Sequence, residues 1–305
     1  MISIIICLRT PKISPALEAN IREKIGVPFE IIGIDNSRNQ YSIFSAYNEG
    51  VARSSYDILC FMHEDILFHT SDWGQKIANH LNKPDAGIIG ICGGSTLTKV
   101  PASWSLYDQK MFILQSNARG VKPVLHNTGH DSQSTSQSAL VLDGVFLCVR
   151  KSLFQLIRFD DVTFSGFHSY DLDICIQAYL AGYKNYAIND VLIEHFSNGH
   201  HNKEWILNAM KLSDKWSNHL PITLNPALLS HMEKVEFRYM TGHFAKCLIR
   251  AGYKNEECLQ IITNYLNHHP LSQEKAFIRK VLLNILLVRL SKKPHTLFFS
   301  PAKIK

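Results

Sequence analysis

His63-Glu64-Asp65 sets an imidazole and two carboxylates side by side, directly after the apolar run Ile58–Met62. Five apolar residues bounded by polar ones make a buried central strand and are too few for a helix. Side chains alternate along a strand, so His63 and Asp65 share one side and Glu64 points away. Burying such a cluster is costly unless it holds a metal, a cation or a proton to transfer. Other polar groups fall at comparable places: Asp35-Asn36-Ser37 after Phe29–Ile34, and Glu194-His195 after Tyr186–Ile193. Asp171 and Asp173 fall in the first turn of a helix over Leu172–Ala181. Taken singly, each has an ordinary explanation. Aspartate caps helix N-termini, Asp35 suits a turn, and Asn48 and Gly50 could end or kink a helix. His195, His200-His201 and His126/His130 could be plain surface histidines.

The elements that must position these groups alternate. Ile2–Leu8 is a strand stopped at Arg9-Thr10-Pro11, Ser14–Ile25 a helix, Phe29–Ile34 a strand, and Ser42–Ser55 a helix leading into Ile58–Met62. Strand–helix alternation of this kind marks a mainly parallel α/β sheet with ligands beyond the carboxyl ends of its strands. Trp73–Leu81 continues as a helix and Ala86–Cys92 as a fourth strand. Gly93–Ser138 is polar without periodicity and reads as a functional loop or lid. Ala139–Val149 returns to strand, broken at Asp143-Gly144, before a short helix from Ser152 to Leu156. Beyond residue 200 the spacing is helical, over Glu204–Leu220, Asn225–Ala251, Glu256–His268 and Gln273–Leu290. The expected division is therefore 1–200, an α/β domain, and 201–305, an all-α extension.

Composition excludes several classes. At 46% hydrophobic and 19% charged, the 305 residues fit an ordinary globular chain with a sizeable core. A net charge of +6 suits an anionic ligand or an acidic membrane surface. Without a concentrated basic stripe or a binding motif it does not indicate nucleic acid. GxGxxG after the first strand and GxxxxGK[ST] are both absent, against a dinucleotide fold or a P-loop. Seven cysteines without CxxC spacing indicate a reducing compartment. Met1–Leu8 lacks a charged leader, so the expected location is cytoplasmic. Val281–Leu290 is too short to span a bilayer, but with Arg279-Lys280 and Lys292-Lys293 it leaves peripheral membrane contact open.

The order of the polar strand ends resembles the family-2 glycosyltransferases of the GT-A fold, over about residues 1–200. The family's DXD falls on His63-Glu64-Asp65, and its E-D-x-D motif on Tyr170-Asp171-Leu172-Asp173. The N-x-G pattern falls on Asn48-Glu49-Gly50, and the terminal metal-binding histidine on His195. Two residues depart: His63 stands for the first aspartate and Tyr170 for the glutamate, an HxD/YDxD variant. The resemblance implies a mixed, mainly parallel sheet flanked by helices, and transfer of a sugar from a UDP- or GDP-linked donor to a glycan or lipid-linked hydroxyl. Thr10, Asp35, Asn36, Asn48 and Gly50 would bind the nucleotide. Asp65, His195 and His63 would hold Mn²⁺ or Mg²⁺, and Asp171 would be the general base of an inverting displacement. Asp143, Gly144 and Asp173 would shape the acceptor site. Such proteins commonly build cell-surface polysaccharides. A degenerate, non-catalytic nucleotide- or glycan-binding domain, a nucleotidyltransferase and a helical interaction protein are the alternatives that the residues leave open.

Overall fold

A computed structural model describes residues 1–116, 122–131, 133–197, 199 and 201–291. His200, Lys292-Lys293 and the remainder of the tail lie outside the described residues, as do parts of the expected 93–138 loop. The chain forms two compact units: 1–96 with 104–198, and 97–103 with 199–305.

In the first unit the strands are β1 (Ile2–Leu8), β2 (Phe29–Asp35), β3 (Ile58–Met62), β4 (Ile66–Phe68), β5 (Ala86–Gly90) and β6 (Cys92–Gly94). After β7 (Thr96–Leu97), which straddles the boundary between the units, come β8 (Lys110–Gln115), β9 (Val124–Thr128), β10 (Ser136–Ala139) and β11 (Val141–Leu142). The last are β12 (Phe146–Arg150), β13 (Lys184–Ile188) and β14 (Ile193–His195). The helices are α1 (Pro15–Lys24), α2 (Ile43–Arg53), α3 (Trp73–Leu81) and α4 (Tyr170–Leu180). Seven strands form the main sheet in the order β10-β13-β5-β12-β3-β1-β2. β1 is parallel to β2 and β3, and β13 to β5, whereas β12 and β10 run against their neighbours. The sheet is therefore mixed and mainly parallel. A second sheet has the order β11-β6-β8-β14-β4, with β9 on β8.

The main sheet is buried on both faces, which is why its strands are continuous apolar runs. Ile2, Ile4 and Ile6 of β1 share a core with Leu17 and Ile21 of α1 and Trp73 and Ile77 of α3. On the opposite face an aromatic cluster joins Tyr47 of α2, Phe61 of β3, Phe159 and Tyr170 of α4, with neighbouring ring centroids 4.9–6.3 Å apart.

Three sequence expectations change. Ala86–Cys92 is not one strand: β5 lies in the main sheet and β6 in the second, with the chain crossing at Ile91. Tyr186–Ile193 likewise divides into β13 and β14 around Asn189-Asp190, where Asp190 bonds His80 Nε2 at 3.0 Å. Gly93–Ser138 is not an irregular loop, since β8, β9 and β10 lie within it. β9 is solvent-facing and β10 mostly polar, so they show no buried alternation for a sequence reading to find.

The second unit is helical: α5 (Lys203–Lys215), α6 (Leu229–Arg238), a π-helical stretch at Tyr239–Phe244, α7 (Ala245–Arg250), α8 (Asn255–Tyr265) and α9 (Phe277–Leu290). Asn202 caps α5 by accepting from the Trp205 N–H at 2.8 Å. The segment 97–103, expected within the loop of the first domain, belongs here. Lys99 N donates to the buried Glu236 carboxylate at 3.0 Å, whose other oxygen meets His268 Nε2 at 2.7 Å. Among the described residues no helix is long and apolar enough to cross a membrane.

Candidate active site

β3 ends at Met62, and the chain passes through His63-Glu64-Asp65 into β4, leaving the main sheet for the second. The main chain of this crossing is held on two sides. His63 N donates to Val145 O at 3.1 Å, and Phe196 N to Asp65 O at 3.0 Å. β14 runs antiparallel to β4 with His195 opposite Ile66. That register brings His195 beside Asp65. His195 Nε2 lies 3.5 Å from Asp65 Oδ1, and His63 Nδ1 lies 3.9 Å from the same oxygen. The three residues offer one ligand atom each, all within 4.8 Å of one another. Glu64 points elsewhere, to Arg9: Nε meets its carboxylate at 2.6 Å, and the Arg9 N–H reaches both oxygens at 3.2 Å.

The protons at this cluster can be assigned. The Tyr170 hydroxyl donates to the Gly144 carbonyl at 3.0 Å, because a carbonyl only accepts. Its contact of 3.0 Å with His63 Nε2 is therefore an N–H donated by the imidazole. Burial, with His195 adding to it, lowers His63 to about 4, so the ring is neutral near pH 7. Its Nδ1 lone pair then faces the Asp65 carboxylate. Two lone pairs turned toward one another are satisfied by a cation between them. For Asp65, burial pushes the carboxyl up, but hydrogen bonding and charge from His195, with His63 and Ser197, hold it well below the ordinary range. A neutral imidazole, an ionised carboxylate and a second imidazole suit a divalent cation. Nitrogen donors favour Mn²⁺ over the harder Mg²⁺.

The two departures noted in the sequence, His63 and Tyr170, are thus hydrogen-bonded partners. Gly144 makes room for them, since a Cβ there would overlap the Tyr170 hydroxyl. This pairing was not visible in the sequence, where the two residues are 107 positions apart.

Asp171 opens α4 next to Tyr170. Its carboxylate accepts from Gly144 N at 3.0 Å and from Leu172 N at 3.0 Å. Burial, and then the charge of Asp143, push its carboxyl up to about 7. Asp143 is held by the Trp104 indole N–H at 2.6 Å and by Val145 N at 2.9 Å. Trp104 is a site neighbour that sequence reasoning did not single out, and Arg9 entered it only at the end of the first strand. Phe167, 44% exposed, sets its ring 5.6 Å from that of His63.

Thr10, Asp35 and Asn36 follow the carboxyl ends of β1 and β2, beside the end of β3. Asp35 is exposed and paired in register with Leu8, and bonding from the Ser37 N–H lowers its carboxyl. Asn36 staples its own loop through both amide atoms to Tyr41. Other candidates are held in the framework. Asn48 donates to the Phe159 carbonyl at 2.8 Å, and Gly50 is buried where a Cβ would overlap Ile5. Asp173, 1% exposed, accepts from Gln177 at 2.7 Å. These contacts tie α2 to Phe159 and to β1, and brace the first turns of α4.

Comparison with known proteins agrees with this architecture. Residues 5–220 match the sequence model of the "Glycosyltransferase like family". No curated protein matches the sequence. The crystal structure of S. aureus TarS 1-349 in complex with UDP-GlcNAc superposes with a TM-score of 0.55 at 12% identity, covering 95% of this chain and 90% of that one. The structure of GalNAc-T7 with UDP, GalNAc and Mn²⁺ gives 0.52 at 9% identity, covering 88% of this chain. The chain spans 58% of the length of that second structure. At these identities the likeness is one of fold, which is GT-A. The match of the family model over more than two thirds of the chain places this protein in the family-2-like glycosyltransferases.

Proposed function

We propose that the protein transfers a sugar, with inversion, from a UDP- or GDP-linked donor to an acceptor hydroxyl, and that it needs a divalent cation to do so. One observation carries this reading: Asp171, its carboxyl raised to about 7, is tied through Gly144 and Tyr170 to a convergent His63, Asp65 and His195. Direct displacement with inversion requires a single base opposite the leaving group. Asp171 would take the acceptor hydroxyl's proton as the oxygen attacks the anomeric carbon. Gly144 N and Leu172 N orient its carboxylate. Asp35, Asn36 and Thr10 would meet the nucleoside at the ends of β1 and β2. His63, Asp65 and His195 would hold the cation, which when bound offsets the negative charge of the departing diphosphate. Asp143 with Gly144, and the exposed Phe167 ring, would border the acceptor.

An acceptor carried on lipid fits α9. Ile278, Leu283, Leu286, Leu287 and Leu290 are each about half exposed or more, on a helix that also carries Arg279, Lys280 and Arg289. Apolar and basic residues on one surface helix suit an anionic membrane.

The deciding test is calorimetry with UDP and GDP in the presence of Mn²⁺, Mg²⁺ or chelator, followed by donor hydrolysis and transfer assays. Metal-dependent binding of one nucleotide and turnover of its sugar are expected. Binding without turnover of any donor would leave a nucleotide-binding domain, and no binding at all would remove the reading.

A further inference from the structure

A second cluster of metal-binding side chains lies in the helical unit, and the glycosyltransferase chemistry makes no use of it. His201, just before α5, His243 in the π-helical stretch and Cys247 in α7 converge, each with one ligand atom within 4.8 Å of the others. His201 Nδ1 lies 3.1 Å from His243 Nε2 and 3.8 Å from Cys247 Sγ. Tetrahedral zinc, with bonds of about 2.0–2.1 Å to nitrogen and about 2.3 Å to sulfur, sets its nitrogens about 3.3 Å apart and nitrogen from sulfur about 3.6 Å. The observed separations bracket those values. Without metal, the same atoms are close enough for a shared hydrogen bond at His201 Nδ1, so metal titration decides between the two.

The surroundings fix the donors in place. The His201 ring stacks on Trp205, centroids 4.0 Å apart, and the His243 ring on Tyr239 at 5.5 Å. His243 and Cys247 are four residues apart on one continuous helix, the spacing at which two side chains share a face. The π turn containing His243 is a helix irregularity of the kind that recurs at functional sites. Cys247 is buried, 4% exposed, and its thiol is not in a disulfide. It therefore faces its two histidines from the interior.

We propose that His201, His243 and Cys247 bind a zinc-class divalent cation. Among the described residues this set supplies three ligands, which leaves a fourth position for water or an exogenous donor. The soft thiolate separates this site from the one at Asp65, which has no sulfur and accepts harder ions. Bound metal would fasten the residues that enter α5 to α7, within the helical unit.

The test is titration of the full chain with Co²⁺ under anaerobic, reducing conditions, read by absorption. A thiolate-to-cobalt charge-transfer band, displaced by Zn²⁺, is expected, because a site of histidine and carboxylate alone gives none. Cys247→Ser should abolish the band. His243→Gln should weaken it at least tenfold in Co²⁺ affinity, with the circular dichroism of both variants unchanged. Tetrahedral cobalt absorption without the band, or a band that persists in Cys247→Ser, would overturn the assignment. Loss of helical circular dichroism in Cys247→Ser would move the decision to His243→Gln, where an unaltered band would equally overturn it.

Discussion

Asp171 and Asp143 illustrate how much one carboxyl depends on its neighbour. A buried carboxyl beside a second negative charge keeps its proton to higher pH. The folded value of about 7 lies above the ordinary 3.8. In that interval the folded chain holds a proton that the unfolded chain has released. Asp171 therefore costs the fold nothing below the ordinary value, and costs it progressively more as pH rises through about 7. Activity runs the other way, since a general base works only when ionised. Transfer should rise with pH through an apparent pKa near 7, and Asp143→Asn should move that limb to lower pH; a kcat profile measured on both proteins checks this. Asp171→Asn should lower kcat by about 10²–10⁴-fold and leave UDP or GDP affinity within a factor of about two. A parallel loss of nucleotide binding would deny Asp171 the role of base. At this scale the sequence was informative, because carboxylates and histidines at strand ends carry their own signal. It could not show that Asn48 bonds the Phe159 carbonyl or that Asp173 accepts from Gln177, since the fold sets those partners.

At the scale of elements, the site is a set of places where the chain leaves one sheet for the other. His63–Asp65 lies between β3 and β4, Asp143-Gly144 between β11 and β12, and His195 ends β14. Long apolar runs such as Ile2–Leu8 and Ile58–Met62 were legible because burial on both faces demands them. The crossing at Ile91 was not, because hydrophobicity does not change there; the one at Asn189-Asp190 left only a polar pair inside an otherwise apolar run. The link from α4 back to β3 through Tyr170 is also a matter of tertiary placement. Tyr170→Phe removes the hydroxyl that fixes the His63 tautomer. Mn²⁺ affinity should fall by about 10- to 100-fold, the usual cost of losing a partner behind a metal ligand. The melting temperature should change little, and titration calorimetry with a thermal melt separates the two effects. Gly144→Ala displaces the same tyrosine by steric overlap and should cost at least as much affinity. Unchanged Mn²⁺ binding in both variants would release Tyr170 from the site.

For the whole molecule, the two compact units divide after residue 198, with 97–103 falling in the second. No composition change marks those seven residues. The bonds from Lys99 N to the buried Glu236 and from Ser213 Oγ to the Lys99 carbonyl, both remote in sequence, assign them to the helices. A chain ended at residue 198 would strand Leu97 and Val100, 5% and 1% exposed in the intact protein. It should melt lower and aggregate, as light scattering would register; a monodisperse fragment with the parent's melting temperature would contradict this. Replacing Leu283, Leu286 and Leu287 of α9 by serine should reduce co-sedimentation with anionic vesicles at least severalfold and leave transfer to a water-soluble acceptor intact.

The ladder between β4 and β14 also bears on how the protein is made. Asp65 and His195 are neighbours in space, but 195 − 65 = 130 residues separate them along the chain. A nascent polypeptide leaving the ribosome can lay β1, β2 and β3 together long before the last strand of the second sheet has been synthesised. Throughout that time His63 and Asp65 stand without the imidazole that completes their cluster. An ion bound as proposed would therefore join a chain whose first three strands are already in place, and a ribosome stalled short of residue 195 would carry a domain lacking the third donor.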